Sequence, residues 1–532
     1  MIRFSKIIIV IFFSSLAMFS CNQGHERKKP NVLFISVDDL NDWIEPLHAH
    51  NQVLTPNLNK LTHEGLLFTN AHCTQAVCTA SRNSVLSGIH PSTSGWYHSP
   101  NEYAANYDKV MSRHQMLPEF FKTNGYNTFV VGKIFHQGAT DFPDKVNDFW
   151  TECAPEFWDE NKMEPHIKES GKGYGGWKFY PFPKDGGRLY QYVMNNDTIK
   201  HIKNTGHSLC GGPLEADEIP KNGMYDEQIA KWGIEKMKED HNEPFFLAVG
   251  FVRPHVPYTA PQEYFDLYNS DNLKVPEVPD DEMSDIPVFG KSVAYGARTP
   301  RGGWYDVNQI PGYRKELVHS YLACVSFVDE QIGRLINGLK ESGHWDDTII
   351  VLWSDHGQHF GEKKHYRKQA LWEESTKVPL YFRIPNIENS GRIKQVVSLL
   401  DIYPTLTQLC NLPIQNKLEG KSLVPLLENT DLVWERPVLS CWYYNNYSVR
   451  SNNWRYIRYR SGSEELYNHE IDPGEHNNLA LDTKYDSIIS EHKKWIPRNG
   501  ALPAGHDVWD GDKLDRTIKL WEENDSIPTW LR

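Results

Sequence analysis

Several things are scarce in this 532-residue chain. None of its eight cysteines falls in a C-x-x-C pair, which argues against a zinc site built on thiolates. Positive charge is never concentrated: the longest Lys/Arg run is Arg27-Lys28-Lys29, and the formal net charge is −13. Such a balance argues against a nucleic-acid partner, and any anionic substrate must be met by a local group of cations. Internal repeats and long low-complexity tracts are absent. Long apolar runs are absent as well. The one at 7–19, IIIVIFFSSLAMF, falls short of the roughly 20 residues that a membrane span needs.

That run is instead the right length for the core of a signal peptide, with Arg3 and Lys6 before it and Ser20-Cys21 after it. The junction resembles a bacterial lipoprotein signal, in which Cys21 is acylated and becomes the new N-terminus; plain cleavage near Ser20 is the alternative. Either way residues 1–21 direct export, and the expected location is the periplasm or outer membrane of a Gram-negative cell. Membrane contact would come only through the lipid. Residues 22–30 read as a polar tether. The length predicts two domains, with a composition change near residue 385 dividing a domain at 31–385 from a smaller one at 386–532. Seventeen Trp, 26 Tyr and 23 Phe lean towards a carbohydrate-facing surface. A monomer is expected.

Four short apolar runs read as buried strands: 31–37, 127–131, 245–250 and 348–353. Helical spacing fills the intervals, at Pro56 to Gly65, at 224–240 and over 314–341. The alternation predicts an α/β fold with a mostly parallel sheet covered on both faces. Beyond residue 385, a helix at 396–410 and two short strands within 447–459 predict a small antiparallel sheet carrying a packed helix. The Gly-, Pro- and Trp-rich stretch 140–220 reads as an irregular insertion that shapes a site. Ligands of parallel sheets bind beyond the carboxyl ends of the strands. There the sequence puts Asp38-Asp39 after the first strand, Lys133 and His136 after the second, His255 after the third, and Asp355-His356 after the fourth.

Three aspartates offer hard oxygen ligands that suit Ca²⁺, or less well Mg²⁺, and His356 adds a nitrogen. Cys324, Cys410 and Cys441 sit among apolar residues and read as core. Cys78 does not: QAVCTASRNSVLSG places it where a helix begins, with Arg82 one turn on. Adding Lys133 and Lys368 gives three cations around a metal, a receptor for a tetrahedral oxyanion ester. Sulfate or phosphate ester hydrolysis follows as the chemistry.

The segment CTASR followed by SVLSG resembles the signature of type I sulfatases of the alkaline-phosphatase-like superfamily, whose C-x-(P/A)-x-R cysteine is oxidised to formylglycine. Blocks such as SVDDL, TPNLNKL, GYNTFVVGKIFH, PFFLAVGFVRPHVPY, IIVLWSDHG and ELYNHEIDPGEHNNLA follow in the order of that family, and VGKIFHQG with RPHVPY is most similar to the iduronate-2-sulfatase-like branch. The resemblance implies that Asp38, Asp39, Asp355, His356 and the formylglycine from Cys78 hold Ca²⁺. It also implies that Arg82 stabilises the formylglycine and that Lys133 and Lys368 hold the sulfate. In the family mechanism the aldehyde hydrate attacks sulfur, His255 protonates the departing alcohol, and His136 deprotonates the remaining hydroxyl to expel sulfate and restore the aldehyde. A formylglycine-generating maturation enzyme is then a required partner. Ala80, where proline is commonest, and Ser87 and Ile89 depart from the family pattern. The implied substrate is a sulfated sugar in a uronic-acid-containing glycan such as ulvan or a glycosaminoglycan.

Candidate sugar contacts are His98, Asn101, Arg253, Tyr258, Arg314 and His359. Two other readings share these residues: an alkaline-phosphatase-like phosphodiesterase or phosphonate hydrolase, and a non-catalytic glycan-binding lipoprotein whose Cys78 stays a thiol.

Overall fold

A computed structural model describes residues 29–97, 114–136, 148–155, 211–294, 311–385 and 389–504, with isolated positions at 183, 187–189, 387, 516, 518–520 and 523–524. The export segment, most of the 140–220 insertion, His98 and Asn101 lie outside the described residues.

The first predicted strand, β1 (Asn31–Val37), is buried along its whole length. Its alternate residues serve two cores. Leu33, Ile35 and Val37 pack on one face and Val32 and Phe34 on the other, as period-2 side chains must in a sheet covered on both sides. The sheet gathers β2 (Leu66–His72), β3 (Asn127–Gly132), β4 (Glu152–Cys153), β6 (Phe245–Phe251), β8 (Thr348–Ser354), β11 (Lys377–Arg383), β12 (Gly391–Ile393) and β13 (Val397–Ser398). Its order is β12-β2-β11-β8-β1-β6-β3-β4, with β13 also on β2. Every pairing is parallel except those of β11, which runs antiparallel to both β2 and β8.

Helices cover both faces. On one lie α1 (Pro56–Glu64), α3 (Tyr225–Met237) and α4 (Tyr313–Glu341), contributing Leu58, Ile229, Leu317 and Leu335 to the core. On the other lie α2 (Cys78–Ser87) and α5 (Ile402–Leu409), contributing Val85, Leu86, Ile402 and Leu406. Each fully buried aliphatic side chain contributes roughly 1.5–3 kcal/mol, so the strands belong to the core and polar chemistry is left to their ends.

A four-stranded antiparallel sheet follows, with β14 (Val438–Cys441), β15 (Tyr447–Arg450), β16 (Trp454–Arg458) and β17 (Glu464–Asn468) in consecutive order. The expected helix at 396–410 differs from the structure. Residues 397–398 pair with β2, and α5 packs on the main sheet. The helix that packs on the small sheet is α6 (Asp486–Lys493), through Ile489 against Tyr447, Val449, Tyr456 and Leu466. The expected division near 385 therefore falls within the main sheet's own strand set, because β12 and β13 return to pair with β2.

Candidate active site

Four adjacent parallel strands, β8, β1, β6 and β3, end in register: Val37 pairs with Phe251 and Ser354, and Gly132 pairs with Gly250. The backbones of β3 and β6 approach so closely there that a Cβ at Gly250 would lie 2.1 Å from the Lys133 carbonyl oxygen. Asp38, Lys133, the 252–259 turn and Asp355 thus emerge side by side.

Asp39 takes a left-handed backbone, φ 61°, which aspartate tolerates better than most residues. Its amide donates to Asp355 Oδ1 at 3.1 Å, and the His356 amide donates to the same oxygen at 3.1 Å. From the second layer α2 brings Arg82, fully buried. Its Nε donates to Asp355 Oδ2 at 2.8 Å, Nη2 to Asp38 Oδ1 at 3.3 Å, and Nη1 to Ser36 Oγ at 3.1 Å and to the carbonyls of Lys133 and Ile134. Lys133 Nζ pairs with Asp38 Oδ2.

Cys78, in the first turn of α2, is where these groups converge. Lys368 Nζ lies 3.0 Å from its Sγ and 2.6 Å from Asp39 Oδ1. His356 Nε2 lies 3.2 Å from Sγ and 3.2 Å from Asp39 Oδ1. His136 stands close enough to Cys78 to favour its ionised form, and His255 Nε2 lies 4.0 Å from Asp39 Oδ2. Every one of these side chains is at least mostly enclosed.

The electrostatics follow from that enclosure. Burial pushes the Cys78 thiol up, but Lys133, Lys368 and His356 outweigh it and hold the pKa well below the usual thiol value. Burial raises Asp38 too, yet Lys133 holds it below the usual carboxylate range. Asp355 is pushed up to about 6 by burial, which Arg82 and His356 only partly oppose. His356 is lifted against burial to about 9 by Asp355. Burial lowers His136, which Cys78 only partly opposes, and so favours the neutral imidazole.

The donor set fits a divalent cation. One ligand atom each from Asp38, Cys78, Asp355 and His356 lie within 4.8 Å of one another, and so do those from Asp38, Asp39, Cys78 and His255. His356 Nδ1 donates to the Gly357 carbonyl at 3.0 Å, which leaves the Nε2 lone pair for the cation once the second proton is gone. A further group, Glu373, His469 and Glu475, is filled by cations of the chain itself: Arg450 Nε lies 3.0 Å from Glu373, and Arg455 pairs with both acids.

The sequence model of the family described as Sulfatase matches residues 30–412, and that described as N-sulphoglucosamine sulphohydrolase, C-terminal, matches 361–499. The chain belongs to the sulfatase family. A sulfatase of Formosa agariphila is 35% identical over 513 residues, covering 93% of this chain and 92% of that relative. Human iduronate 2-sulfatase is 29% identical over 458 residues, covering 76% and 74%. A solved structure holding the substrate D-glucosamine-2-N,6-O-disulfate shares the fold, with a TM-score of 0.64 at 19% identity and coverage of 94% and 100%. The protein is accordingly a sulfuric ester hydrolase.

Within this sulfatase three expected sugar contacts turn inwards. Arg253 is fully buried and donates to the carbonyls of Thr259 and His255 and to Thr259 Oγ1. His359 is fully buried, with Nδ1 at 3.1 Å from the Glu362 carbonyl. Tyr258 is buried with its hydroxyl on Gln358. None of the three presents surface to a sugar. Arg314 is half-buried and donates to the carbonyls of Phe360 and Pro276. Two residues went unnoticed in the sequence. Ser36 hides inside an apolar strand, and its hydroxyl donates to the Lys133 carbonyl at 2.9 Å. Asp226 reads as an ordinary acid in the first turn of a helix, yet its carboxylate accepts from the amides of Val252 and Arg253 at 2.7 and 3.1 Å. Among the described residues no helix is long and apolar enough to cross a membrane.

Proposed function

We propose that this sulfatase releases inorganic sulfate from a sugar of a uronic-acid-containing glycan, ulvan or a glycosaminoglycan, with residue 78 in its formylglycine form and Ca²⁺ at the acidic rim. The observation that carries the reading is the convergence on Cys78: two lysines, three histidines and three aspartates gather around one side chain at the start of a helix. Similarity to human iduronate 2-sulfatase supports a uronic-acid context.

Asp38, Asp39, Asp355 and His356 would hold the cation, which would supply Lewis-acid polarisation of an ester oxygen and offset the gathered negative charge. Formylglycine would supply a geminal diol, one hydroxyl serving as nucleophile and the other, on losing its proton, restoring the aldehyde as the bond to the sulfated oxygen breaks. The remaining chemistry belongs to the chain. Lys133 and Lys368 orient the sulfate and stabilise the charge that develops on its oxygens. His255 donates Nδ1–H to the Val256 carbonyl at 2.6 Å, which turns Nε2 towards the rim; in the doubly protonated ring that nitrogen delivers its proton to the leaving sugar oxygen and the neutral imidazole remains. His136, kept neutral by burial, accepts the proton of the residual hydroxyl. Arg82 holds Asp38 and Asp355 in place from below.

The same reading has the chain matured by a formylglycine-generating enzyme, exported, anchored through Cys21 and active as a monomer. Two measurements test the core of it. Defined sulfated oligosaccharides incubated with matured protein should release sulfate, and the peptide containing residue 78 should show the mass of an aldehyde in place of a thiol. Hydrolysis of phosphonate monoesters or phosphodiesters, read as release of the alcohol, without sulfate release from any sulfate ester, or a thiol at residue 78 in fully active protein, overturns it.

A further inference from the structure

His255 sits in a turn with no helix or strand of its own, between the end of β6 and β7 (Tyr258–Pro261). Proton transfer to a leaving group needs heavy atoms within about 2.6–3.2 Å, and an error of about 1 Å in such a geometry can cost about a hundredfold. Something must therefore hold the turn.

Two buried charges do so. Asp226, at the start of α3, takes the amide of Val252 on Oδ1 and that of Arg253 on Oδ2, pinning the chain as it leaves the sheet. Arg253 folds back under the turn that it begins. Its Nη1 donates to the His255 carbonyl at 2.9 Å, its Nε to the Thr259 carbonyl at 2.7 Å and its Nη2 to Thr259 Oγ1 at 2.7 Å. The His255 amide closes the loop on the Val252 carbonyl at 2.8 Å. Entry, middle and exit of the turn are thus tied to one carboxylate and one guanidinium, both buried, and neither side chain is among those converging on Cys78.

We propose that Asp226 and Arg253 are positioning residues for His255, setting where its Nε2 meets the leaving oxygen. This inference rests on reading His255 as the proton donor. A planar guanidinium reaches three acceptors in a fixed fork, which a lysine ammonium on a flexible stem does not reproduce. Arg253→Lys keeps the charge but loosens the turn. Asp226→Asn replaces one of the two acceptor oxygens with an NH₂ group facing an amide.

The test is the dependence of kcat/KM on leaving-group basicity, measured with aryl sulfates of graded acidity and one sulfated sugar. Wild type, His255→Ala, Arg253→Lys and Asp226→Asn are compared, and thermal unfolding and Ca²⁺ titration report on fold and metal site. Arg253→Lys and Asp226→Asn should lose about tenfold to a hundredfold on the sugar and markedly less on the most acidic phenols. The steeper dependence should resemble that of His255→Ala, and kcat should carry the loss more than KM. If His255→Ala steepens the dependence while Arg253→Lys and Asp226→Asn leave the wild-type slope, the positioning inference falls and the proton donor stands. An unchanged slope in His255→Ala removes the proton donor and the inference with it. Should Arg253→Lys fail to fold, Asp226→Asn alone decides by the same slope.

Discussion

Replacing Arg82 by methionine isolates what one buried cation does for the acidic rim. The guanidinium bonds Asp38, Asp355, Ser36 and two carbonyls at zero exposure, and methionine fills much of its volume while removing every one of these bonds. Stripping one partner from a buried ion pair costs about 3–5 kcal/mol, because the other charge stays behind without compensation. Here two carboxylates lose a partner, while Lys133 still faces Asp38 and His356 still faces Asp355, so the chelated variant should lose about that much. A divalent cation at the same carboxylates neutralises them directly. The variant should therefore regain most of the loss in Ca²⁺ and bind the ion about tenfold more tightly for each 1.4 kcal/mol regained. Urea unfolding in EDTA and across a Ca²⁺ series measures both quantities. A loss below about 1 kcal/mol in EDTA, set against the expected cost of a broken buried pair, or an equal loss with and without Ca²⁺, would refute the reasoning.

Cys78→Ala and Cys78→Ser should both fold and both be inactive; turnover near wild type in either rules out a formylglycine nucleophile. Lys368→Ala should lower kcat/KM by about 10²–10³, the usual cost of one donor to developing charge, and weaken product inhibition by inorganic sulfate. Unchanged sulfate inhibition would remove Lys368 from the sulfate cradle. In chelated protein His356 is raised from 6.5 to about 9 by Asp355 against burial. A raised folded pKa gives stability that is fully present below pH 6.5 and is lost as pH climbs through 9. Chelated wild type should therefore lose stability relative to His356→Asn across that window, while Ca²⁺ affinity rises as the proton leaves. Parallel pH profiles for the two proteins would count against the Asp355–His356 coupling.

What the sequence revealed was whatever depends on local pattern. The runs before Asp38, Lys133, His255 and Asp355 are continuous and apolar, and the structure bears all four out as adjacent parallel strands. Cys78 and Arg82 are one helical turn apart, and α2 begins at Cys78. Five of the nine strands of the main sheet escaped notice, β2 and β11 among them. The run of β2 fades into Thr69-Asn70, half-buried in the strand, and β11 contains Pro379, which argues against a central strand. The structure accommodates that proline at a shift in register between Val378 and Leu380. Arg253 and His359 show a different limit. A charged residue beside a proposed site looks like a ligand contact until its direction is known, and that direction is set by partners distant in sequence or hidden in the turn. Asp226 precedes Arg253 by a whole helix and strand, and nothing in the spacing links them.

Lys368 shows why the smaller sheet belongs to the site and is more than an appendage. It stands between Arg367 and Gln369, both at positive φ, and Lys363 and Lys364 are also left-handed. Such a backbone costs a residue other than glycine roughly 1–2 kcal/mol, so the segment cannot hold this shape alone. Its ties lead outwards. The Gln369 amide donates to the Ala76 carbonyl at 3.1 Å, two residues before Cys78. His365 lies 2.7 Å from both the Ala294 and Lys368 carbonyls. The remaining ties run to the C-terminal half: Lys363 Nζ donates to the Glu475 carbonyl, Trp372 Nε1 to Glu465 at 2.8 Å, and Arg450 and Arg455 clasp Glu373. The small sheet thus grips the segment on both sides of Lys368. Most of the site's charged groups thus follow the strand ends of the main sheet, with Arg82 bonded to Asp38 and Asp355, whereas Lys368 is placed by a segment that hydrogen bonds and ion pairs tie to the small sheet.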